Sequence, residues 1–447
     1  MDLSVIGTGY VGLVSAVCLA DRGHRVTCVD IDREKVDRIN RGIPPIYEKG
    51  LEALLRKNAG SSLKATTDLR AAVMGSEISM IAVGTPFDGS EIDLTYIRAV
   101  SAQVGALLRE KSTYHLVVVK STVVPGTTDS VVLPILEQTS GKKAGQDFGV
   151  GMNPEFLREG EAIQDFMFPD RIVLGGIDEK SRDLLEELYQ VFPGVDKLRT
   201  NTRTAEMIKY TANSLLATMI SFSNEIANLC AVTGGCDVVE VMKGVHLDKR
   251  LCPITPDGSR VVPAFTTYLA AGCGFGGGCF PKGVKALLAH GKRNGRQMEL
   301  LDAVIRIIEK QPGKVTSLLR RHFTSLEGVN VAVLGLAFKP GTDDLRESPS
   351  IPVIRELLSD GARVRAYDPV ARHEAEKTFG NANITYSDSL ADALRDAQAV
   401  LLMTRWEEFS GLPGMLAGLD PQPVFIDGRR MIEKTSVERY EGIGLGA

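Results

Sequence analysis

One cysteine of the chain lies in a setting that is typical of a reactive thiol. Cys279 follows the glycine-rich segment 274–278 and is followed three residues later by Lys282. Glycines leave backbone N–H groups free and let a ligand approach closely, and a nearby ammonium favours the thiolate. The pattern indicates an accessible nucleophile, and the alternative is a thiol that only packs beside a glycine loop. Three other cysteines lie in apolar surroundings and are expected to be small core residues: Cys18, Cys28 and Cys230.

The N-terminal segment carries a glycine pattern that suits a dinucleotide. The motif GTGYVG at residues 7–12 follows an apolar strand pattern and precedes an apolar helical run at 13–19. Such glycines allow a tight turn and close approach of a pyrophosphate to a helix N-terminus. Asp30 ends the next predicted strand, 18 residues after Gly12. A carboxylate there accepts hydrogen bonds from ribose hydroxyls and repels a 2′-phosphate, which predicts NAD rather than NADP. The alternative is a plain glycine-rich turn.

Two threonines follow other predicted strands. Thr85 lies in VGTP at residues 83–86, and Thr122 follows the apolar run 116–120. Ligands of open α/β sheets bind at the carboxyl ends of strands. Both threonines are therefore candidates to line the cofactor, with ordinary loops as the alternative.

The C-terminal third repeats only part of this pattern. Gly335 ends a predicted strand, but the second and third glycines of a dinucleotide motif are missing. Lys339 and Arg346 follow shortly after, and both side chains are suited to a phosphate or a carboxylate. The alternative is a solvated charged loop.

The histidine spacing indicates no metal site and no histidine base. No two histidines occur at HxxH or HxxxH spacing, and none pairs with a cysteine at zinc spacing.

Length and composition exclude several classes of protein. The 447 residues are 44% hydrophobic and 24% charged, which suffices for roughly two to four domains with large cores. A net charge of −4 argues against a general nucleic-acid binder, and the lack of a long apolar run argues against a membrane partner. The N-terminal residues do not resemble a signal peptide. Seven scattered cysteines are typical of a reducing compartment, so we expect a cytoplasmic protein.

The elements that must position these residues divide the chain into three parts. Residues 1–200 and 301–447 alternate short apolar runs with helical stretches, which predicts parallel sheets with helices on both faces. The predicted strands are 3–6, 26–30, 78–83, 116–120, 149–152 and 172–175 in the first part, and 329–335, 363–367, 399–403 and 423–426 in the third. The fold class is therefore α/β, with two Rossmann-like doubly wound domains joined by a long central helix.

The central part, residues 201–300, begins with a helical pattern. It runs from Thr204 to Met242 without a proline. It predicts one long helix, suited to a spine or a dimer surface, or two helices broken at Gly234-Gly235. The segment 252–283, rich in proline and glycine, is expected to be irregular.

Several segments together resemble the nucleotide-sugar 6-dehydrogenase family. They run in the order of the family and span nearly the whole chain. They are GTGYVG at 7–12, PIYEKGLE at 45–52, VGTP at 83–86, STVVPGT at 121–127, NPEFLREG at 153–160, AEMIKYTANS at 205–214, GFGGGCFPKG at 274–283, GLAFKPGTDDLRESPS at 335–350 and FIDGRR at 425–430. The resemblance implies an NAD-binding domain at 1–200, a central dimerisation domain with the cysteine loop at 201–300, and a sugar-nucleotide domain at 301–447.

The resemblance implies a four-electron oxidation with two NAD⁺ per turnover. A sugar C6 alcohol becomes an aldehyde, which Cys279 captures as a thiohemiacetal. A second oxidation gives a thioester, and water hydrolyses it to a carboxylate. The thiol is needed because a bare aldehyde has no alcoholate from which a second hydride could leave.

The resemblance also assigns roles to matching positions. Lys209 and Asn213 would stabilise oxyanions at C6, while Thr122 holds a water and Glu155 acts through water as base or acid. The implied cofactor contacts are Gly7, Gly9, Tyr10, Val11, Gly12, Asp30, Lys35, Thr85, Thr122, Glu159 and Arg346. The implied substrate contacts are Glu155, Phe156, Leu157, Lys209, Asn213, Tyr268, Gly276, Phe338, Lys339 and Arg429. Arg260 is the candidate for an arginine contributed to the substrate by the partner subunit.

The cysteine motif departs from the family at two positions. Gly283 stands where relatives have an aspartate, and Gly278 stands where they usually have a serine. The aspartate works with the lysine and a water, so its absence is expected to slow thioester hydrolysis most.

Several functions remain open from the sequence. Phe280 favours UDP-glucose as the substrate, with GDP-mannose as the alternative. A two-electron dehydrogenase of the β-hydroxyacid type would share the architecture without a covalent step. A catalytically idle NAD- and sugar-nucleotide-binding protein is the third possibility. A homodimer through the central helix is expected in each case.

Overall fold

The computed structural model describes residues 1–380 and 382–446. The chain forms two compact units, residues 1–212 and 213–447. Among the described residues, no helix is both long and apolar enough to cross a membrane.

The first unit is built on an eight-stranded sheet. Its strands are β1 (Asp2–Ile6), β2 (Arg25–Val29), β3 (Leu63–Thr66), β4 (Ile78–Ile81), β5 (Leu116–Val119), β6 (Gly149–Met152), β7 (Arg171–Gly176) and β8 (Asp196–Thr200). Their spatial order is β3-β2-β1-β4-β5-β6-β7-β8. The connections reverse direction at β1, and this is where doubly wound sheets bind their ligands.

Helices cover both faces of this sheet. They are α1 (Tyr10–Asp21), α2 (Arg33–Asn40), α3 (Leu51–Asn58), α4 (Leu69–Met74), α5 (Thr95–Glu110), α6 (Leu133–Ser140), α7 (Ala162–Met167), α8 (Glu179–Leu188) and the first turns of α9 (Thr202–Cys230). Strand β5 shows why two layers of helices are needed. Leu116 and Val118 belong to one buried cluster, and Val117 and Val119 belong to the other. Alternate side chains of a strand point to opposite faces, so an all-apolar strand must be covered twice.

The expectation of a wholly parallel sheet is wrong at one pair of strands. Strands β6 and β7 are antiparallel, with Gly151 opposite Gly176 and Met152 opposite Gly175. The segment between them holds only the six-residue helix α7, which is about 9 Å long. Strand β7 therefore returns in the opposite direction to β6.

The second unit contains a six-stranded parallel sheet. Its strands are β9 (Asn330–Leu334), β10 (Arg363–Tyr367), β11 (Ile384–Tyr386), β12 (Ala399–Leu402), β13 (Val424–Asp427) and β14 (Tyr440–Gly442), in the order β11-β10-β9-β12-β13-β14. The unit also contains the rest of α9 and α10 (Val238–His246), α11 (Phe280–Arg293), α12 (Glu299–Lys310), α13 (Pro312–Leu319), α14 (Ser350–Ser359), α15 (Arg372–Phe379), α16 (Leu390–Leu394) and α17 (Leu412–Ala417). The prediction of two Rossmann-like sheets and a long central helix is confirmed.

The central helical pattern is interrupted, as the two-helix alternative predicts. Helix α9 ends at Cys230 and α10 begins at Val238, with Gly234 and Gly235 between them. The segment 252–283 is less irregular than expected, because α11 already begins at Phe280. Pro281 lies in the first turn of that helix, where its missing N–H costs nothing.

Candidate active site

The glycine motif forms a tight turn between β1 and α1. Gly7 adopts a left-handed conformation with φ of 99°, and a side chain at Gly12 would collide with the carbonyl oxygen of Gly7. The space around Gly9 is open, and no side chain caps α1. The backbone N–H groups at the start of α1, which includes Tyr10 and Val11, therefore face an accessible surface that fits a pyrophosphate.

Asp30 follows β2 beside this turn. Its carboxylate accepts hydrogen bonds from the Thr8 N–H at 2.9 Å and the Asp32 N–H at 3.0 Å. Burial raises the pKa of Asp30, but these bonds and the charge of Lys35 outweigh burial, so the net pKa lies below its ordinary value. The adjacent Ile31 is 95% exposed. The sequence reasoning missed Ile31, although an apolar residue beside the carboxylate predicted to bind ribose suits the flat face of a base.

The two threonine segments meet at the carboxyl ends of adjacent strands. Strands β4 and β5 pair in parallel, and the Thr85 hydroxyl donates to the carbonyl oxygen of Thr122 at 2.7 Å. The two segments therefore lie at one edge of the sheet, and their contact with the cofactor stays a prediction.

A buried ion pair lies in the first unit. Lys209 Nζ and Glu155 Oε1 are 2.8 Å apart, and each side chain is 5% exposed. Glu155 also accepts the N–H of Leu157 at 2.7 Å, and Lys209 lies 5.5 Å from the ring centre of Phe156. Burial raises the pKa of Glu155, but the attraction of Lys209 and these hydrogen bonds outweigh it, so the net pKa is lowered. Glu155 is therefore ionised at neutral pH.

A second buried lysine accompanies this pair. Lys120 follows β5 and donates to the Asn153 side-chain oxygen at 2.7 Å, which also accepts from Tyr189 at 2.5 Å. Burial lowers the pKa of Lys120 to about 8, the attraction of Glu155 opposes this, and the repulsion of Lys209 adds to it. The sequence reasoning missed Lys120, although a lysine that ends an apolar run was a usable signal.

A carboxylate that the sequence reasoning also missed holds the segment that follows Thr122. Glu206 is fully buried on α9 and accepts the N–H groups of Gly126 at 2.5 Å and Thr128 at 2.8 Å. Burial raises the pKa of Glu206 to about 7 in spite of these bonds. No local pattern distinguished Glu206 from a surface residue of the helix.

The glycine loop before Cys279 belongs to the second unit. Cys279 is exposed at the N-terminus of α11, which confirms the expected accessibility. Gly277 has φ of 82° and a side chain there would collide with the Phe338 ring. The expected core cysteines Cys18, Cys28 and Cys230 are buried.

Gly278 is the first of the two positions predicted to depart from the family motif. A side chain on Gly278 would meet the Arg346 guanidinium at 2.7 Å. Arg346 is held there by Asp344, with a nitrogen–oxygen distance of 2.7 Å. Glycine therefore lets Arg346 lie directly against the cysteine loop.

The second departure leaves usable space. Gly283 is buried in the first turn of α11, and its N–H donates to the carbonyl oxygen of Cys279 at 2.9 Å. A Cβ atom at Gly283 would meet only Asn213, at 3.7 to 3.8 Å, which is ordinary van der Waals contact. The position therefore accepts a Cβ atom without a close contact.

A cavity of about 380 Å³ lies beside the cysteine loop within the second unit. Five predicted substrate residues line it, namely Tyr268, Gly276, Phe338, Lys339 and Arg429. The sequence reasoning missed Thr404 and Arg405, which also line it. The cavity has three cationic side chains and no acidic residue in its lining, which suits a diphosphate.

The two arginines predicted to contact the substrate, Arg429 and Arg260, donate to backbone carbonyl oxygens in this structure. Arg429 donates to the carbonyls of Met403 and Gly274, both at 2.6 Å, so it connects two walls of the cavity. Arg260 does not line the cavity and donates to the carbonyls of Leu247 and Cys252 at 2.8 and 2.9 Å.

Among residues 1–380 and 382–446, no group of three His, Cys, Asp or Glu side chains is placed to hold a metal ion. One unit has a dinucleotide-binding turn, and the other has an exposed thiol and a cation-lined cavity. Together they are typical of a dinucleotide-dependent oxidoreductase that acts on an anionic substrate.

Comparison with known proteins specifies this class. The family models match the NAD-binding domain of the UDP-glucose/GDP-mannose dehydrogenase family at residues 1–193, its central domain at 203–310 and its UDP-binding domain at 332–434. The chain therefore belongs to the UDP-glucose/GDP-mannose dehydrogenase family, and its cofactor is NAD.

Three relatives illustrate the similarity. UDP-glucose 6-dehydrogenase AglM of Haloferax volcanii is 42% identical, covering 99% of this chain and 100% of its own. GDP-mannose 6-dehydrogenase of Pseudomonas aeruginosa is 43% identical over 87% of each chain. The solved UDP-glucose dehydrogenase of Pyrobaculum islandicum is 40% identical, covers 99% of this chain and 97% of its own, and has a TM-score of 0.89.

Proposed function

We propose that the chain oxidises C6 of UDP-glucose to the carboxylate of UDP-glucuronate. The overall reaction consumes one alcohol, two NAD⁺ and one water, and yields one carboxylic acid, two NADH and two protons. The observation that carries the proposal is the exposed Cys279 in a glycine loop whose neighbours line a cation-rich cavity. UDP-glucose is preferred to GDP-mannose because of Phe280 and the match to the Pyrobaculum UDP-glucose dehydrogenase.

Cys279 provides the covalent step of the proposed mechanism. NAD⁺, held at the dinucleotide turn, would supply the hydride acceptor for each of the two oxidations. The Cys279 sulfur adds to the C6 aldehyde and gives a thiohemiacetal that keeps one C–H bond. Its oxidation leaves a thioester, and attack by water breaks the carbon–sulfur bond and restores the thiol.

The other roles in the proposed reaction are those that the resemblance to the family implies. Lys209 and Asn213 stabilise the negative charge that develops on the C6 oxygen. Thr122 holds the water, and Glu155 accepts or returns a proton through it. Asp30 and Lys35 hold the adenosine half of NAD, while Thr85, Glu159 and Arg346 contact the cofactor elsewhere.

The substrate contacts follow from the cavity. Phe338 and Lys339 hold the nucleotide, and the backbone at Gly276 and the ring of Tyr268 face the sugar. Arg429 contributes by holding the cavity walls, and the resemblance to the family also assigns Phe156 and Leu157 to the substrate. Arg260 would act on the substrate of the partner subunit.

The decisive experiment counts NADH per sugar consumed, with UDP-glucose and GDP-mannose side by side. The proposal predicts two NADH per UDP-glucose and a slower reaction with GDP-mannose. One NADH per substrate would indicate a two-electron dehydrogenase. Binding of both ligands without any NADH would indicate an idle binding protein.

Restoring a carboxylate at position 283 should accelerate turnover. We expect Gly283→Asp to raise steady-state kcat by about tenfold or more, because a positioned base commonly contributes about a hundredfold. NADH absorbance, followed by stopped flow and in the steady state, should show a smaller burst relative to the steady rate for Gly283→Asp than for the natural protein. Gly283→Asn is the matched control, since it has the same size without the charge. Equal rates for both variants, or a decrease with aspartate, would contradict this prediction.

We also propose that the chain is a homodimer through α9. Leu215, Phe222 and Leu229 recur every seven residues on this helix and are 59%, 49% and 63% exposed. Such a stripe on one helical face is suited to packing against a second copy.

A charge in this stripe should separate the subunits. We expect Phe222→Glu to raise the dimer dissociation constant by about a hundredfold, since burying an unpaired carboxylate costs several kcal/mol. Light scattering after size exclusion measures the mass over a range of concentrations. Leu198→Glu is the control, because Leu198 is 51% exposed on the edge strand β8 and does not belong to the α9 stripe. If the mass of Phe222→Glu measured by light scattering stays that of a dimer at every concentration, the proposed interface is wrong.

A further inference from the structure

The segment PIYEKGLE at residues 45–52 has no role in the mechanism so far. Its Glu48 is 6% exposed in the first unit. One carboxylate oxygen accepts the Tyr10 O–H and the Gly160 N–H, the latter at 2.7 Å. The other oxygen accepts the Ala162 N–H at 2.9 Å. The Tyr10 oxygen in turn accepts the Gly160 N–H at 3.0 Å.

These partners belong to two segments that serve the proposed reaction. Tyr10 is the first residue of α1, directly after the glycine turn of the dinucleotide site. Gly160 ends the segment 153–160, which carries Glu155 and Glu159. Ala162 is the first residue of α7 and has no cap from its own segment. A single buried side chain therefore joins the cofactor turn to the segment of the proposed water-activating carboxylate.

The chemistry of this junction requires a carboxylate. Glu48 accepts hydrogen bonds from three donors, the Tyr10 O–H and the N–H groups of Gly160 and Ala162. Its charge is therefore balanced by hydrogen bonds, which are about twice as strong to a carboxylate as to a neutral acceptor. Burial and the neighbouring Glu48 raise the pKa of Tyr10, so the phenol keeps its proton and remains a donor.

We propose that Glu48 is a positioning residue, which sets the segment 153–160 against the dinucleotide turn through Tyr10. The expected effect of Glu48 on NAD⁺ binding depends only on its contact with Tyr10 beside the glycine turn. Its effect on the reaction rate rests on the proposed function, because it acts through Glu155.

The test compares Glu48→Gln, Tyr10→Phe and the double variant. Glu48→Gln keeps the size but loses the charge, and Tyr10→Phe loses only the donor. We expect each to raise the Kd of NAD⁺ by about tenfold, the value of one or two charge-assisted hydrogen bonds. The Kd of NAD⁺ for the double variant should be at most about twofold higher than that of the weaker-binding single variant, because both changes break the same hydrogen-bonded junction. Calorimetric titration with NAD⁺ measures this without any sugar substrate.

Kinetics then separate positioning from general destabilisation. We expect Glu48→Gln to lower kcat by about tenfold with an unchanged KM for UDP-glucose, and Glu48→Asp to restore part of the loss. Glu52→Gln is the control, because Glu52 is exposed and pairs with Arg56 one turn away. An unchanged Kd and kcat in Glu48→Gln, or multiplied effects in the double variant, would overturn the proposal. If the natural protein does not oxidise UDP-glucose, the NAD⁺ titrations still test whether Glu48 positions the cofactor site.

Discussion

A Cys279→Ala variant is expected to form no UDP-glucuronate. Without the thiol the aldehyde cannot become a thiohemiacetal, so the second oxidation loses its substrate. Loss of a covalent nucleophile commonly costs several orders of magnitude, and we expect kcat for carboxylate formation to fall at least about a thousandfold. NADH formed per sugar should not exceed one.

The same variant allows the covalent intermediate to be located. Mass spectrometry of natural protein quenched during turnover should show the sugar nucleotide attached to the peptide that contains Cys279, and Cys279→Ala should show none. Cys236→Ala is the matched control, because Cys236 is a half-buried free cysteine elsewhere in the second unit. A Cys279→Ala variant that still yields two NADH per sugar would refute the covalent mechanism.

A Lys209→Met variant is expected to lose both activity and stability. The substitution removes the ammonium 2.8 Å from Glu155 and leaves a buried carboxylate without its nearest partner. Breaking a buried ion pair in this way costs about 3 to 5 kcal/mol of unfolding free energy. Loss of the charge that stabilises the C6 oxyanion should lower kcat by about a hundredfold to a thousandfold.

A double variant separates these two effects. Lys209→Met with Glu155→Gln removes both charges, so most of the stability should return in urea unfolding while kcat stays low. Lys111→Met is a control for burial, since Lys111 is also buried but donates to the backbone carbonyls of Val73, Met74 and Ser76. The Lys111→Met variant should lower the free energy of unfolding and leave kcat unchanged. If the double variant recovers its rate, Lys209 has only a structural role.

The sheets were predictable where strands are apolar and central. The runs around β1, β4, β5, β9 and β12 are buried on both faces, so nearly every residue is apolar. The sequence reasoning missed β3, β8, β11 and β14. Strands β3, β11 and β14 have only three or four residues, and β8 is largely exposed. All four sequences carry polar residues and no apolar run. Their pairing with a neighbouring strand, rather than their own pattern, makes them strands.

The candidate site was predictable in part. The glycine turn, Asp30 and the cysteine loop are local motifs, because their chemistry depends on backbone shape over a few residues. Glu48, Lys120 and Glu206 act through partners that lie far away in the sequence, such as Gly160, Asn153 and Gly126. No periodicity reports such contacts, so only the fold could show that these charges are buried and paired.

The sequence by itself determined the α/β class, the NAD motif and the single cysteine in a glycine-rich loop. It also singled out Gly283 and Gly278 as positions predicted to differ from the family motif. The tertiary structure decided that Lys209 and Glu155 form a buried pair, that a Cβ atom at Gly283 would lie in ordinary contact with Asn213, and that the Arg346 guanidinium lies against Gly278. The physical reason is that a motif specifies which groups are present, whereas burial and long-range packing set their distances, their charge states and the room around them.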